Sequence, residues 1–122
     1  MIVSCSDDKT LRIWNYENGN CIHTLNGHKG YIRTVIAISG TNLIVSGSSD
    51  NTLGIWNYEN GNCIHKLNGH TGCIHTVIAI PGTNLIVSGS YDNSLRVWNY
   101  ENGNCIHTLN GHTGYILSLI HI

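Results

Sequence analysis

The sequence predicts an all-β protein built of repeated four-stranded antiparallel sheets, and three observations carry that reading. The first is repetition: Trp14, Trp56 and Trp98 are spaced by 42 residues, as are Asp8, Asp50 and Asp92, and His28, His70 and His112. A period of that size belongs to a propeller or a solenoid, in which each unit covers the next. The second is local pattern. Short apolar and β-branched runs alternate with Gly, Asn and Asp turns, and no segment sustains a helical period. The third is that the runs in the first half of each unit are apolar on both faces. A sheet sandwiched between neighbours needs that, and a sheet with one wet face does not.

The elements follow in order within one unit. The run "YIRTVIAI" (31–38) is apolar with few charges and reads as the first strand. "SGTN" (39–42) is turn chemistry, and its copy "PGTN" (81–84) adds a proline that suits a turn and spoils a helix. "LIVSGS" (43–48) is the second strand, followed by a turn around Asp50 and Asn51. "TLGIWNY" (52–58) is the third. "ENGN" (59–62) supplies an Asn-Gly pair, which favours a tight hairpin because both central residues tolerate positive φ. "CIHKL" (63–67) is the fourth strand, and "NGH" (68–70) leads into the next unit.

Composition narrows the function classes. The 122-residue chain has a formal charge of −1 and 11% charged residues, so it carries no electrostatic footprint for nucleic acid or an anionic membrane. No apolar run approaches the ~20 residues needed to cross a bilayer, and "MIVSCSDDKT" has no basic, then apolar, leader pattern. Five cysteines are an odd number for a disulfide framework, and three of them, Cys21, Cys63 and Cys105, occupy one repeat position. Equivalent positions one repeat apart exceed the ~7 Å Cα separation that a disulfide tolerates. Reduced thiols and a cytoplasmic setting, with the nucleus possible, are therefore expected.

The units resemble the WD-repeat family of β-propellers, named for a Trp-Asp pair. The resemblance rests on the Gly-His dipeptides at 27–28, 69–70 and 111–112, on the Ser-Gly-Ser-x-Asp turns, and on the "LRIW", "LGIW" and "LRVW" strands. It covers the whole chain. Two departures are consistent: Asn15, Asn57 and Asn99 follow the tryptophans where Asp is usual, and Ile38, Ile80 and Ile122 stand where an aromatic is common. Neither alters the features that define a blade.

Each unit holds Ser, His and Asp, the ingredients of a nucleophilic triad. His28 precedes Ser46 by 18 residues, Asp50 by 22 and Trp56 by 28, and His70, Ser88, Asp92 and Trp98 repeat those intervals. The resemblance implies a structural network in which the Trp N–H, hydroxyl, imidazole and carboxylate satisfy one another. Ser4, Asp8 and Trp14 hold three of its positions without a preceding His, and His112 holds the fourth without followers. A threefold copy also argues against catalysis, so no catalytic residue and no enzyme activity are expected. "CIHTLNGH" sets Cys21, His23 and His28 in a compact arrangement that could be read as metal ligands. Packing of Cys21 as a small hydrophobe, with His23 partly exposed, is the favoured reading. Neither metal nor cofactor is expected, since "NGNCI" precedes no helix and is not a phosphate loop.

Met1 aligns with Leu43, and "YILSLIHI" (115–122) aligns with "YIRTVIAI". The expected organisation is one propeller segment over 1–122: the second to fourth strands of blade one at 1–25, blade two at 26–68, blade three at 69–110, and a first strand at 111–122 that completes the first blade of a neighbouring copy. Three blades are too few to close, since propellers use about 4–8. Head-to-tail association would give six blades as a dimer or nine as a trimer. The other solution is that the chain is a piece of a longer propeller.

Rim positions that differ between copies are where specificity would lie. The residue before the network Asp is Asp7, Ser49 or Tyr91; the first strand opens at Tyr31, Cys73 or Tyr115, preceded by Lys29, Thr71 or Thr113. Arg33, His75 and Leu117 follow two residues on and are expected to point towards the central channel. The resemblance implies a non-enzymatic scaffold whose rim docks a protein or peptide through aromatic and cationic anchors. Its alternatives are a self-assembling structural ring or a fragment of a larger WD-repeat protein such as a ubiquitin-ligase substrate receptor. In such a receptor Arg33 would meet an acidic or phosphorylated peptide, although nothing in the chain is an F-box.

Overall fold

Eleven strands in three antiparallel sheets make up the described part of the chain, residues 2–5, 9–26 and 28–109 of a computed structural model. The first sheet has the order β1-β2-β3, from Ile2–Cys5, Leu11–Trp14 and Cys21–Leu25. The second runs β4-β5-β6-β7, from Ile32–Ala37, Leu43–Ser48, Leu53–Asn57 and Cys63–Leu67. The third runs β8-β9-β10-β11, from Ile74–Ala79, Leu85–Ser90, Leu95–Asn99 and Cys105–Leu109. Every pairing joins consecutive strands, so each sheet is a meander. The edge strands β1, β4 and β8 lie beside one another, which stacks the sheets face to face in chain order. Among the described residues there is no helix; these are propeller-type blades. The expected strand over 111–122 lies outside the described residues.

Packing explains why the central strands do not alternate. In β5 the five positions Ile44–Ser48 are all buried, and in β9 so are Ile86–Ser90. One apolar cluster, with Leu11, Ile13, Leu25, Ile32, Ile44 and Trp56, joins the first sheet to the second. Another, with Val45, Leu53, Ile55, Leu67, Ile74, Ile86 and Trp98, joins the second to the third. A strand in the second sheet therefore has protein on both faces. Close approach is part of that packing: a Cβ on Gly47 would stand 2.6 Å from Ile74 Cγ2 of the next sheet, far inside van der Waals contact.

Two local features depart from the expected strands. The β6–β7 connection is a four-residue turn rather than a two-residue hairpin. Asn57 N–H donates to the Asn62 carbonyl and Gly61 N–H to the Asn57 carbonyl, both at 2.9 Å. Only Gly61 takes a positive φ, +77°, while Asn60 does not, because Asn60 Oδ1 is used to accept the Asn62 N–H at 2.9 Å. The second departure is a set of β-bulges. Pairing slips between Ile32 and Thr34 and between Ile74 and Thr76, so Arg33 and His75 sit at bulges of edge strands. A bulge re-aims a side chain and twists the edge.

A core substitution tests the stacked arrangement. Leu53→Ala, at a fully buried position between sheets, should cost about 2–5 kcal/mol. Ile22→Ala, on an exposed outer strand, should cost less than ~0.5 kcal/mol. Urea denaturation of the two variants checks the contrast.

Candidate functional site

In the second and third sheets a buried polar cluster ties the loop before the first strand to the strands that follow. In the second sheet Trp56 Nε1–H donates to Ser46 Oγ at 2.9 Å, and His28 Nε2 stands 2.6 Å from the same oxygen. His28 Nδ1 faces Asp50 Oδ2 at 3.1 Å. The third sheet repeats this: Trp98 to Ser88 at 2.9 Å, His70 Nε2 to Ser88 at 2.7 Å, and His70 Nδ1 to Asp92 at 2.9 Å. An ionised carboxylate can only accept, so Nδ1 of His70 carries the proton and Nε2 accepts the serine O–H. In the first sheet Trp14 Nε1–H donates to Ser4 Oγ at 2.9 Å. Asp8 and His112 lie outside the described residues.

A fifth member escapes the interval pattern. The Thr52 hydroxyl donates to Asp50 Oδ1 and lies 3.3 Å from His28 Nδ1, while Thr52 N–H donates to the same carboxylate at 3.0 Å. Ser94 does the same for Asp92 and His70. The legible signal was a hydroxyl two residues after each Asp (Asp50-Asn51-Thr52, Asp92-Asn93-Ser94), the spacing of an Asx-type turn. Asn51 and Asn93 between them take φ of +72° and +66°, a conformation asparagine tolerates better than most residues. The carboxylate also accepts the backbone N–H of Lys29 at 2.8 Å or of Thr71 at 2.9 Å, which anchors the loop ahead of β4 or β8.

Burial and hydrogen bonding set the charge states. Burial lowers the His28 pKa below 6.5, and the Lys66 ammonium, 3.0 Å from Nδ1, lowers it further against the pull of Asp50. Lys66 and His28 are both drawn to the one carboxylate. Burial likewise lowers the His70 pKa, where Thr108 stands at the position of Lys66. For Asp50, burial acts upwards, but hydrogen bonds from Thr52 and the Lys29 N–H outweigh it and hold the pKa at about 2. Asp92 is held lower still by Ser94 and the Thr71 N–H, again against burial. At neutral pH the network is a neutral imidazole against a carboxylate.

The rim is assembled differently. Tyr31 and Tyr91 are 52% and 53% exposed. Lys9 Nζ lies 5.7 Å from the Tyr31 ring centroid, a cation–π distance, and the His75 ring lies 4.9 Å from that of Tyr91. Arg33 and Lys29 are exposed. Ser49 is spent on the scaffold, since its Oγ accepts the Tyr31 N–H at 2.8 Å. Cys73 is half-buried, with Sγ 3.8 Å from the Ser49 carbonyl of the preceding sheet, so it seals a seam between blades. His75 is half-buried, with its ring against that of Tyr91. Lys9 was not singled out from the sequence, because only the fold brings it over Tyr31. Asp7 and Tyr115 lie outside the described residues.

Cys21 does not pack as a hydrophobe. It is exposed, with Sγ 3.5 Å from the His23 carbonyl. His23 turns to the next blade, and His28 belongs to the network. A bulge beside Trp14 re-aims this outer strand. Among the described residues no three His, Cys, Asp or Glu side chains are grouped to hold a metal ion. A cleft between the ends of β4 and β8 is lined by Ile36, Ile38, Ile78, Ile80 and Tyr100, and Tyr100 is its one titratable group.

Stacked antiparallel sheets, the two four-stranded ones each locked by a buried Trp-Ser-His-Asp set, define a β-propeller repeat protein. The model of the WD domain, G-beta repeat, matches residues 1–15, 19–57 and 61–99. The chain belongs to the WD40 repeat family. It is also similar to curated proteins from three fungi, each called a probable E3 ubiquitin ligase complex SCF subunit sconB. Identity is 46% for the protein of Arthroderma otae and 43% for those of Arthroderma benhamiae and Trichophyton verrucosum, over 37 residues. That segment is 30% of this chain and spans only 6% of each relative.

Two outcomes test the network. Ser88→Ala leaves the buried Trp98 N–H and His70 Nε2 without a partner, at about 1–3 kcal/mol for each. Adding Trp98→Phe should cost less than the sum of the single changes in a double-mutant cycle of urea unfolding. The second outcome concerns acid. Folded pKa values of His28 and His70 lie below 6.5, so the unfolded chain binds more protons there. Their contribution is complete above that value and is lost as pH falls through it; Asp50 adds a further loss between 3.8 and about 2. The thermal midpoint should therefore drop between about pH 7 and about pH 5; a flat or rising profile would contradict the assignment.

Proposed function

We propose that this chain is a non-enzymatic docking scaffold whose rim binds a protein or peptide. The observation that carries the reading is the pair of half-exposed tyrosines, Tyr31 and Tyr91, each braced by a neighbouring basic ring or ammonium. Their backbones are fixed: Ser49 N–H donates to the Tyr31 carbonyl at 2.8 Å, and Tyr91 N–H to the Cys73 carbonyl at 3.0 Å. Aromatic anchors held this way lose little freedom on binding. Arg33 and Lys29 add positive charge beside Tyr31, which favours an acidic or phosphorylated ligand. Against catalysis stands the burial of the hydroxyls in the two described Ser-His-Asp sets: Ser46 and Ser88 are 0% exposed and hydrogen-bonded to tryptophan.

WD40 repeats imply a protein-interaction scaffold, and the sconB relatives are named as subunits of a ubiquitin ligase complex. That name supports a second reading, in which the chain is part of a larger substrate receptor. In the first reading, copies associate head to tail, as a six-bladed dimer or a nine-bladed trimer, and a strand of one completes the three-stranded first sheet of the next. The exposed free thiols Cys21, Cys63 and Cys105 support a reducing compartment, the cytoplasm or nucleus.

The test is affinity capture followed by direct titration of the recovered partner. Tyr31→Ala with Tyr91→Ala should weaken binding at least about tenfold, the effect of a hot-spot pair. The thermal midpoint should not move, because both rings are half in solvent. Unchanged affinity for every recovered partner would sink the rim assignment.

A further inference from the structure

Consecutive sheets are joined by one contact that occurs twice with the same atoms. His23 in β3 reaches the Glu59 carbonyl in the β6–β7 turn, and His65 in β7 reaches the Glu101 carbonyl in the β10–β11 turn, each through Nε2 at 2.9 Å. A carbonyl oxygen only accepts, so Nε2 is the donor in both. A leucine two residues on closes the apolar side: Leu25 and Leu67 are 2% and 3% exposed. The receiving turn needs its glycine twice over. Gly61 takes φ +77°, and a Cβ there would stand 3.2 Å from His23 Nδ1 and 3.5 Å from Leu25 Cδ2; Gly103 stands in the same relation to His65 and Leu67. The sequences on the two sides are "CIHTL" or "CIHKL" against "YENGN".

Each half of this latch exists a third time without a mate among the described residues. On the outer face of the third sheet, the His107 side chain is exposed and makes no hydrogen bond among the described residues, and Leu109 is 47% exposed. On the far face of the first sheet, Gly19 takes φ +74° with nothing within 4 Å of its Cβ direction. The Glu17 carbonyl accepts no hydrogen bond from the described residues. Tyr16 is 66% exposed, and Trp14 is only half-buried where Trp56 and Trp98 are covered.

We infer that a second copy of this chain is the mate: His107 donates to the Glu17 carbonyl of the second copy, and Leu109 packs over its Gly19. The choice of occupant rests on identity. The free turn is "YENGN" and the free strand is "CIHTL", the residues that already latch twice within one chain. The contact is heterologous, one face meeting a different face, so it propagates head to tail. It rests on the head-to-tail reading above but uses other surfaces than strand completion, so the two can fail separately.

Light scattering on the 122-residue chain at micromolar concentration supplies the test. The wild type should run at two or three times its 13.4 kDa mass. Leu109→Glu and Tyr16→Asp, both at exposed positions that leave the blade core intact, should each run as monomers. Mixed, they should form a one-to-one complex, because each keeps the face the other lacks. His107→Ala, the mildest change, should raise the dissociation constant about three- to tenfold. A monomeric wild type overturns both readings. An oligomeric Leu109→Glu variant, a mixture that forms no complex, or an unchanged constant for His107→Ala overturns the latch alone and leaves head-to-tail association standing through another contact.

Discussion

A serine hydroxyl buried beneath a tryptophan holds each of the two four-stranded blades to its specification. Ser46 and Ser88 sit on the second strand of their sheets with no solvent access, each accepting an indole N–H and facing an imidazole. A hydroxyl is the smallest side chain that can accept and donate at once. It therefore satisfies a group on the adjacent strand and a group on the incoming loop together. Remove that oxygen and two buried polar atoms lose their partners in a low-dielectric interior, which is where such losses are largest. The Asp then fixes the loop by a different route, through backbone N–H groups of Lys29 or Thr71. Loop geometry, strand pairing and sheet twist are coupled through one small cluster.

The cluster explains how chemistry-bearing residues serve the scaffold in the two four-stranded sheets. Serine, histidine and aspartate are hydrogen-bonded in series, as a hydrolase would need, but the hydroxyl is capped by the indole and the imidazole lies against the Trp ring at 6.1 or 6.5 Å between centroids. Neither Ser46 nor Ser88 has solvent access. At the start of β4 and β8, bulges at Arg33 and His75 turn side chains away from the regular pleat.

Between blades, the constraint is coverage. The middle sheet is apolar on both faces and is buried on both, so its neighbours are obligatory rather than optional. The first and third sheets each have one such neighbour among the described residues. Tyr16 and Leu109 record the difference: their copies Tyr58, Tyr100, Leu25 and Leu67 are wholly or partly covered, while they are not. Identical residues differ in exposure because position in the stack, not composition, decides what lies against them.

The order of the eleven described strands and the blade architecture were readable from the sequence, because a 42-residue repeat of apolar runs and Asn-Gly turns states the same local energetics three times. The intervals that place His28, Ser46, Asp50 and Trp56 were readable for the same reason, since repetition marks residues the scaffold uses. Thr52 and Ser94 were passed over because a hydroxyl two residues from an Asp is common in any turn, and only its approach to an imidazole from another loop gives it a role. The outward turn of Cys21 depends on a bulge, which no periodicity reveals. The pairing of Lys9 with Tyr31, of His75 with Tyr91, and of His23 with the Glu59 carbonyl 36 residues away joins elements whose separation is set by how sheets stack. Local sequence thus determined what each blade is, through backbone propensity and hydrogen-bond demand. Only the tertiary structure decided which side chains meet across blades, because those contacts depend on sheet twist and spacing summed over many residues.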